Sequence, residues 1–176
     1  YPQLLAQQRV SLTFEVELAG SGAAGTAPAW GPAMKACAMS QTIVSSTSVT
    51  YAPVSSSFDS CTFYVGIDGI RHKITGARGS FSLNASVGEI PVISFTFTGI
   101  YNDPTDTALP SCTYANQADP VIFKNGNTTA LQIFSYAASL QSFSYDQNNE
   151  TIYNEFVGGT KEILVTDRKP AGEAVI

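Results

Sequence analysis

The clearest pattern in the chain is strict alternation of apolar and polar residues. Phe81, Leu83, Ala85 and Val87 fall on every second position, with Ser80, Ser82, Asn84 and Ser86 between them. Ile93, Phe95 and Phe97 alternate in the same way with Ser94, Thr96 and Thr98. Successive side chains of a strand point to opposite faces, so both runs predict half-buried antiparallel strands. Val87-Gly88-Glu89-Ile90-Pro91 supplies the corner between them, because Gly88 tolerates positive φ and Pro91 has no N–H to give a ladder.

The same period organises the rest of the chain. From Arg9 to Leu18, Val10, Leu12, Phe14, Val16 and Leu18 face one way and Arg9, Ser11, Thr13, Glu15 and Glu17 the other. Ala19 to Ala27 reads as a flexible linker of small residues. Trp30 to Met39 places Trp30, Ala33 or Met34, and Cys37 at helical spacing, with Pro32 tolerable in a first turn, and predicts the one helix. A short strand is expected around Ser48 to Ala52, followed by a polar loop through Ser55-Ser56-Ser57. Cys61 to Ile67 alternates again, Asp68-Gly69 is a hairpin turn, and Ile70 to Thr75 is its partner strand. With Gly76-Ala77-Arg78-Gly79 read as a connection, Cys61 to Tyr101 becomes a four-strand meander.

Asn102 to Pro120 carries three prolines and reads as a long irregular loop, a length that in a compact domain goes with a function or with mobility. Further strands are expected at Val121 to Phe123, Ala130 to Ala137, Leu140 to Asp146, Thr151 to Val157 and Lys161 to Val165. Asn125-Gly126, Gln147-Asn148-Asn149 and Gly158-Gly159 mark the turns. About ten strands and one helix predict an all-β, antiparallel β-sandwich or partly closed barrel with one short flanking α-helix. The expected organisation is a single domain over 1–176, with an N-terminal arm at 1–8 and the long loop at 102–120.

Composition narrows the function. The chain has 176 residues, 44% hydrophobic and only 13% charged, with 14 Gly and 9 Pro. That length buries roughly 70% of the unfolded surface without staples. So little charge on a β-rich chain points to surface covered by other protein. A net charge of −5 and a pI near 4.7 argue against a protein that grips phosphates. No apolar run approaches the roughly 20 residues of a membrane-crossing helix, and no membrane partner is expected. Tyr1 to Ala6 lacks the basic and apolar regions of a signal peptide. The absent initiator Met and the abrupt end at Ala174-Val175-Ile176 lead us to expect a gene product that continues past both ends.

No residue cluster carries chemistry. Cys37, Cys61 and Cys112 are widely spaced, without a CxxC, and read as buried free thiols of a protein made in a reducing cytoplasm. His72, the single histidine, lies in a strand pattern beside Arg71 and Lys73, where a solvated or structural role is expected. Asp59-Ser60-Cys61 puts its thiol on the apolar side of a strand, which is a core position. Asp103 and Asp106 flank a proline with too few ligands for a calcium loop, which leaves turn chemistry. The sequons at Asn84, Asn127 and Asn149 are patterns common by chance in a Ser/Thr-rich chain. Gly76-Ala77-Arg78-Gly79 is followed by no helix that would hold a phosphate. Phe63, Phe81, Phe95, Phe97, Phe134 and Phe143 fit core packing. No catalytic residue, metal or cofactor is expected.

Several structural motifs, taken in order, do carry a likeness. Trp30-Gly31-Pro32 opens a short helix ending Lys35-Ala36-Cys37, and Tyr51-Ala52-Pro53 follows. Asp68-Gly69 and His72-Lys73-Ile74-Thr75-Gly76-Ala77-Arg78-Gly79 come next, then Phe95-Thr96-Phe97-Thr98-Gly99-Ile100-Tyr101. Over Ala29 to Tyr114, and more loosely through Val165, the chain resembles the tail tube (major tail) proteins of long, non-contractile-tailed bacteriophages (siphophages). The resemblance implies a structural virion protein and no enzyme. It implies hexameric rings that stack into the tube through which viral DNA is ejected into the bacterial host, after assembly in the host cytoplasm. The implied partners are other copies of the chain, the tape measure protein, other tail proteins and, transiently, viral DNA. Each sandwich would continue edge to edge into its neighbour, which answers the free strand edges of so β-rich a chain.

A lumen through which DNA slides should repel phosphate. Glu15, Glu17, Glu155 and Glu162 are the expected lumen charges. The arm with Tyr1, Leu4 and Leu5, the linker from Ala19 to Ala27, and the loop with Asp103, Asp106 and Tyr114 are the expected contacts between rings or subunits. The rival readings are a head decoration or tail terminator subunit, told apart by stoichiometry in the particle, and a secreted carbohydrate-binding β-sandwich, which should display a row of exposed aromatics. A hydrolase is disfavoured by one histidine and no nucleophile motif.

Overall fold

The computed structural model describes residues 6–128, 132, 133 and 135–176. Among them the strands are β1 (Arg9–Glu17), β2 (Met39–Val44), β3 (Ser48–Pro53), β4 (Cys61–Ile67), β5 (Ile70–Ser86), β6 (Val92–Tyr101) and β7 (Thr105–Asp106). They continue with β8 (Gln132–Ile133), β9 (Tyr136–Ala137), β10 (Ser142–Asp146), β11 (Asn149–Glu155), β12 (Lys161–Arg168) and β13 (Ala171–Val175), and the helix α1 spans Gly31–Ala36. The fold is all-β and antiparallel with one short helix, layered as a sandwich and without a closed barrel.

The main sheet runs in the order β1-β6-β5-β10-β13, with β4 and β7 also paired to β5. The alternating runs become its two faces. Register pairs Phe14 with Phe95 and Phe95 with Phe81, so the aromatic positions of three strands share one face. Ile93, Phe95 and Phe97 are completely buried there. Phe14 lies 5.4 Å from Phe95 and Phe63 lies 4.8 Å from Phe97, centroid to centroid, which adds aromatic contact to area burial.

The second layer covers this apolar face. Ala33, Met34, Ala36 and Cys37 of the helix join the same core cluster, with Met39 and Tyr51 of the β2–β3 hairpin beside them. Trp30 donates its indole N–H to the Ala19 carbonyl at 2.9 Å and packs 5.3 Å from Tyr51. Asn149 ties the start of β11 to this layer, donating its amide to the Cys37 and Gly79 carbonyls at 2.8 and 2.9 Å. Arg168 of β12 donates to the Val54 carbonyl.

Several expectations are corrected. The helix has 6 residues and ends where Ala38 takes φ 60°, so Met39 begins a strand and not a last helical turn. The four-strand meander is three strands, because β5 runs 17 residues without a break. Gly76, at φ 59°, absorbs the connection as a bulge between Thr75 and Arg78. Val121 to Phe123 is not a strand; Phe123 bonds instead to Gly88 and Glu89, propping the β5–β6 corner. The expected strand at Ala130 to Ala137 falls partly outside the described residues, as does Phe134; the rest is the short β8–β9 pair. Strand β2, the reach of β12 to Arg168, and β13 lie beyond the alternation. Cys112 and Val87 are exposed, not buried, since the first sits in the long loop and the second at the corner past the end of β5.

Candidate assembly surface

The polar residues of the alternating strands gather on the other face of the main sheet. Across the register Glu15 is opposite Ser94, Ser94 opposite Ser82, and Ser82 opposite Asp146. The next row runs from Glu17 through Val92, Asn84 and Ser144 to Glu173. Hydroxyls fill much of the remainder, with Thr13, Thr96 and Ser80 in one row. Glu15 is exposed and accepts a hydrogen bond from the Ser94 hydroxyl at 2.8 Å. Glu17 is exposed at the end of β1. The rows from Thr13 to Glu17 are therefore short-chained and acidic, while the other end of the face carries the exposed Arg9 and also Arg78, whose guanidinium donates to the Phe58, Asp59 and Ile163 carbonyls.

Asp146 and Glu173 belong to this surface although nothing in their local sequence marks them. Glu173 lies on a strand that the alternation does not predict, and only the β10–β13 register brings it beside Ser144. Glu155 and Glu162 are elsewhere, on the β11–β12 hairpin. Glu155 is opposite Lys161 and Glu162 opposite Asn154, so the two point to different faces of that hairpin. The Glu155 carboxylate accepts the Tyr153 hydroxyl at 2.7 Å and pairs with Lys161 at 3.0 Å. These two contacts hold its pKa below the usual carboxylate range, and the bond to Glu155 raises that of Tyr153.

The two internal segments expected at contacts lie side by side. Ala118 N–H donates to the Gly20 carbonyl, Ala29 N–H to Asn116, and the Gln117 amide to the Glu17 carbonyl, so the loop from Asn102 is strapped along the linker. At its other end Thr107 N–H donates to Gly69, and Asp106 of β7 pairs with Ile70. Asp103 and Tyr114 are exposed, Tyr114 at 87%. Tyr1, Leu4 and Leu5 lie outside the described residues. Around the β4–β5 tip, Tyr64, Ile67, Ile70 and Leu109 form an exposed apolar rim, with the Arg71 guanidinium 5.3 Å from the Tyr64 ring.

Reactive side chains do not converge. Burial pushes the Cys61 thiol up to about 11, and burial with the neighbouring Cys61 raises that of Cys37 further. Both thiols stay protonated near neutrality, the unreactive form. His72 sits opposite Val65 in the β4–β5 ladder. Among the described residues no group of His, Cys, Asp and Glu could hold a metal ion. No described helix is long and apolar enough to cross a membrane.

An antiparallel all-β molecule with a polar sheet face and, among the described residues, no converging reactive side chains fits a structural protein better than an enzyme. The family comparison agrees: residues 2–174 match the model of the phage tail tube proteins, and the chain belongs to that family. No curated protein and no solved structure gives a match. Membership makes it a structural component of a phage tail, a virion protein that self-assembles into a tube and associates with other tail proteins.

Proposed function

We propose that the chain forms hexameric rings that stack into the tail tube of a siphophage, and that the polar face of its main sheet lines the DNA conduit. Family membership and the acidic rows at one end of that face support the reading. Glu15 and Glu17 from β1, joined by Asp146 and Glu173, hold phosphates off the wall through charge, and hydroxyls fill the positions between them, with Arg9 set apart at the other end of β1. Glu155, neutralised by Lys161, contributes little to that field. The arm with Tyr1, Leu4 and Leu5, the linker and the loop with Asp103, Asp106 and Tyr114 make the contacts between rings, to which the loop brings the exposed Tyr114 ring. The tape measure protein and other tail proteins are its partners, viral DNA passes transiently through the bore, and assembly takes place in the bacterial cytoplasm.

Negative-stain electron microscopy of the purified chain, with light scattering across a concentration series, tests this. Rings or tubes with an open bore and six-fold class averages are expected. A compact monomer at every concentration would overturn the reading.

A further inference from the structure

The path β1-β6-β5-β10-β13 of the main sheet ends in two open borders, β1 and β13. In an antiparallel ladder the N–H and C=O of one residue point to the same side of the strand, and that side alternates residue by residue. Leu18 N–H donates to the Pro91 carbonyl at 2.8 Å, continuing the β1–β6 register. The even-numbered residues of β1 therefore turn their backbone groups to β6, and Arg9, Ser11, Thr13 and Glu15 turn theirs outward. At the far side Gln147 N–H donates to Phe81 at 3.0 Å, continuing the β5–β10 register. Ser142, Ser144 and Asp146 thus face β13 through Val175, Glu173 and Ala171, and Gly172 and Ala174 turn their backbone groups to the open border. Among the described residues no backbone partner reaches these outward groups. Unpaired borders of this kind seek another strand.

We infer that β13 of one copy pairs in parallel with β1 of the next, a join that the ring reading above requires but does not specify. Two features of the sheet decide its direction. Neighbours along β1-β6-β5-β10-β13 are all antiparallel, so with an odd number of strands in that path β1 and β13 run the same way. Rotation about a ring axis preserves that direction in every copy. The faces give the same answer. The outward groups of β13 belong to Gly172 and Ala174, whose side positions lie on the apolar face with Tyr145 and Phe143. Those of β1 belong to residues with side chains on the polar face. An antiparallel ladder would set these directly opposite each other and turn one sheet over. In a parallel ladder Gly172 and Ala174 bond to the residues flanking their opposite number, so polar meets polar and the polar face continues across the join.

Cysteine pairs read the direction. In a Cys112→Ser background, Ala171→Cys or Val175→Cys is combined in turn with R9C, S11C, T13C, E15C or E17C, all on the polar face. Assembled samples are oxidised mildly and run on a non-reducing gel. The expected result is a covalent ladder in which the β1 position that links to Val175→Cys lies C-terminal to the one that links to Ala171→Cys. The reverse order would overturn the parallel join. Tubes visible by microscopy with no link at any pair would overturn the join while leaving the ring reading in place, and monomers at every concentration would overturn both. As a second measure, S11P and A174P each remove an outward N–H without touching a ladder within the chain. Loss of rings with an unchanged monomer melting curve is expected; rings formed by these variants would sink the join.

Discussion

Phe95 has no accessible surface and packs against Phe14, Phe81 and Phe97, at ring-centroid distances of 5.4, 6.3 and 5.8 Å. Truncation at such a site loses both transfer energy and packing, so Phe95→Ala should destabilise the monomer by about 3–5 kcal/mol in urea unfolding. A loss below 1 kcal/mol would mean that the core closes differently. The thiols make a second residue-scale prediction. Under native conditions near pH 8, an alkylating reagent followed by mass spectrometry should label Cys112 and spare Cys37 and Cys61 until denaturant is added. For pH, the sign follows from the direction of the shift: Cys61 goes from 9.0 to about 11 on folding, so its contribution is complete below about pH 9 and is lost as pH rises through 11. Melting temperature should fall across that window, and Cys61→Ala should flatten the fall. Burial of Phe95 and Cys61 was legible from alternation and that of Cys37 from helical spacing, since both periods are local properties. Cys112 was not, because a loop has no period to read.

At the scale of elements, the least readable feature is the length of β5. Two glycines and an arginine between alternating runs look like a turn, yet the chain needs only one residue out of register there, and Gly76 supplies it at φ 59°. Gly79, further along, has no room for any side chain: a Cβ would overlap the Thr96 carbonyl oxygen. Gly79→Ala should therefore open the β5–β6 ladder, with hydrogen exchange rising across Phe95 to Thr98. The β11–β12 hairpin is held at its base, where the Asn149 amide bridges the helix end and β5, and along β12, where Ile163 is buried and its carbonyl accepts from Arg78. Asn149→Ala leaves two carbonyls without that donor and should cost about 2–3 kcal/mol. Protease sensitivity should rise first between Asn149 and Arg168; unchanged sensitivity would mean that the hairpin is anchored elsewhere.

For the whole molecule, the question is how charge is distributed once the sheet is built. Glu15 and Asp146 are far apart in the chain but lie in one cross-sheet row. In assembled tubes, E15K, E17K and E173K together should convert a wall that ignores DNA into one that retains it, with retention falling steeply as salt rises. Equal DNA retention by both tubes would place this face away from the bore.

The strand character of β1, β3, β4, β6, β11 and β12, the hairpin at Asp68-Gly69, the corner at Gly88 and the two-faced character of β1, β5 and β6 were determined by the sequence alone, because each depends on residues within a few positions of one another. The same holds for the acidic balance and the family motifs. Only the tertiary structure decided that β5 is continuous, that β13 borders the main sheet, that Asp146 and Glu173 share that sheet with Glu15 and Glu17 while Glu155 and Glu162 lie on the separate β11–β12 hairpin, and that the borders run the same way. Those features depend on which distant strands become neighbours, and neighbours are chosen by the burial of one shared apolar face, a property no short stretch of the chain possesses.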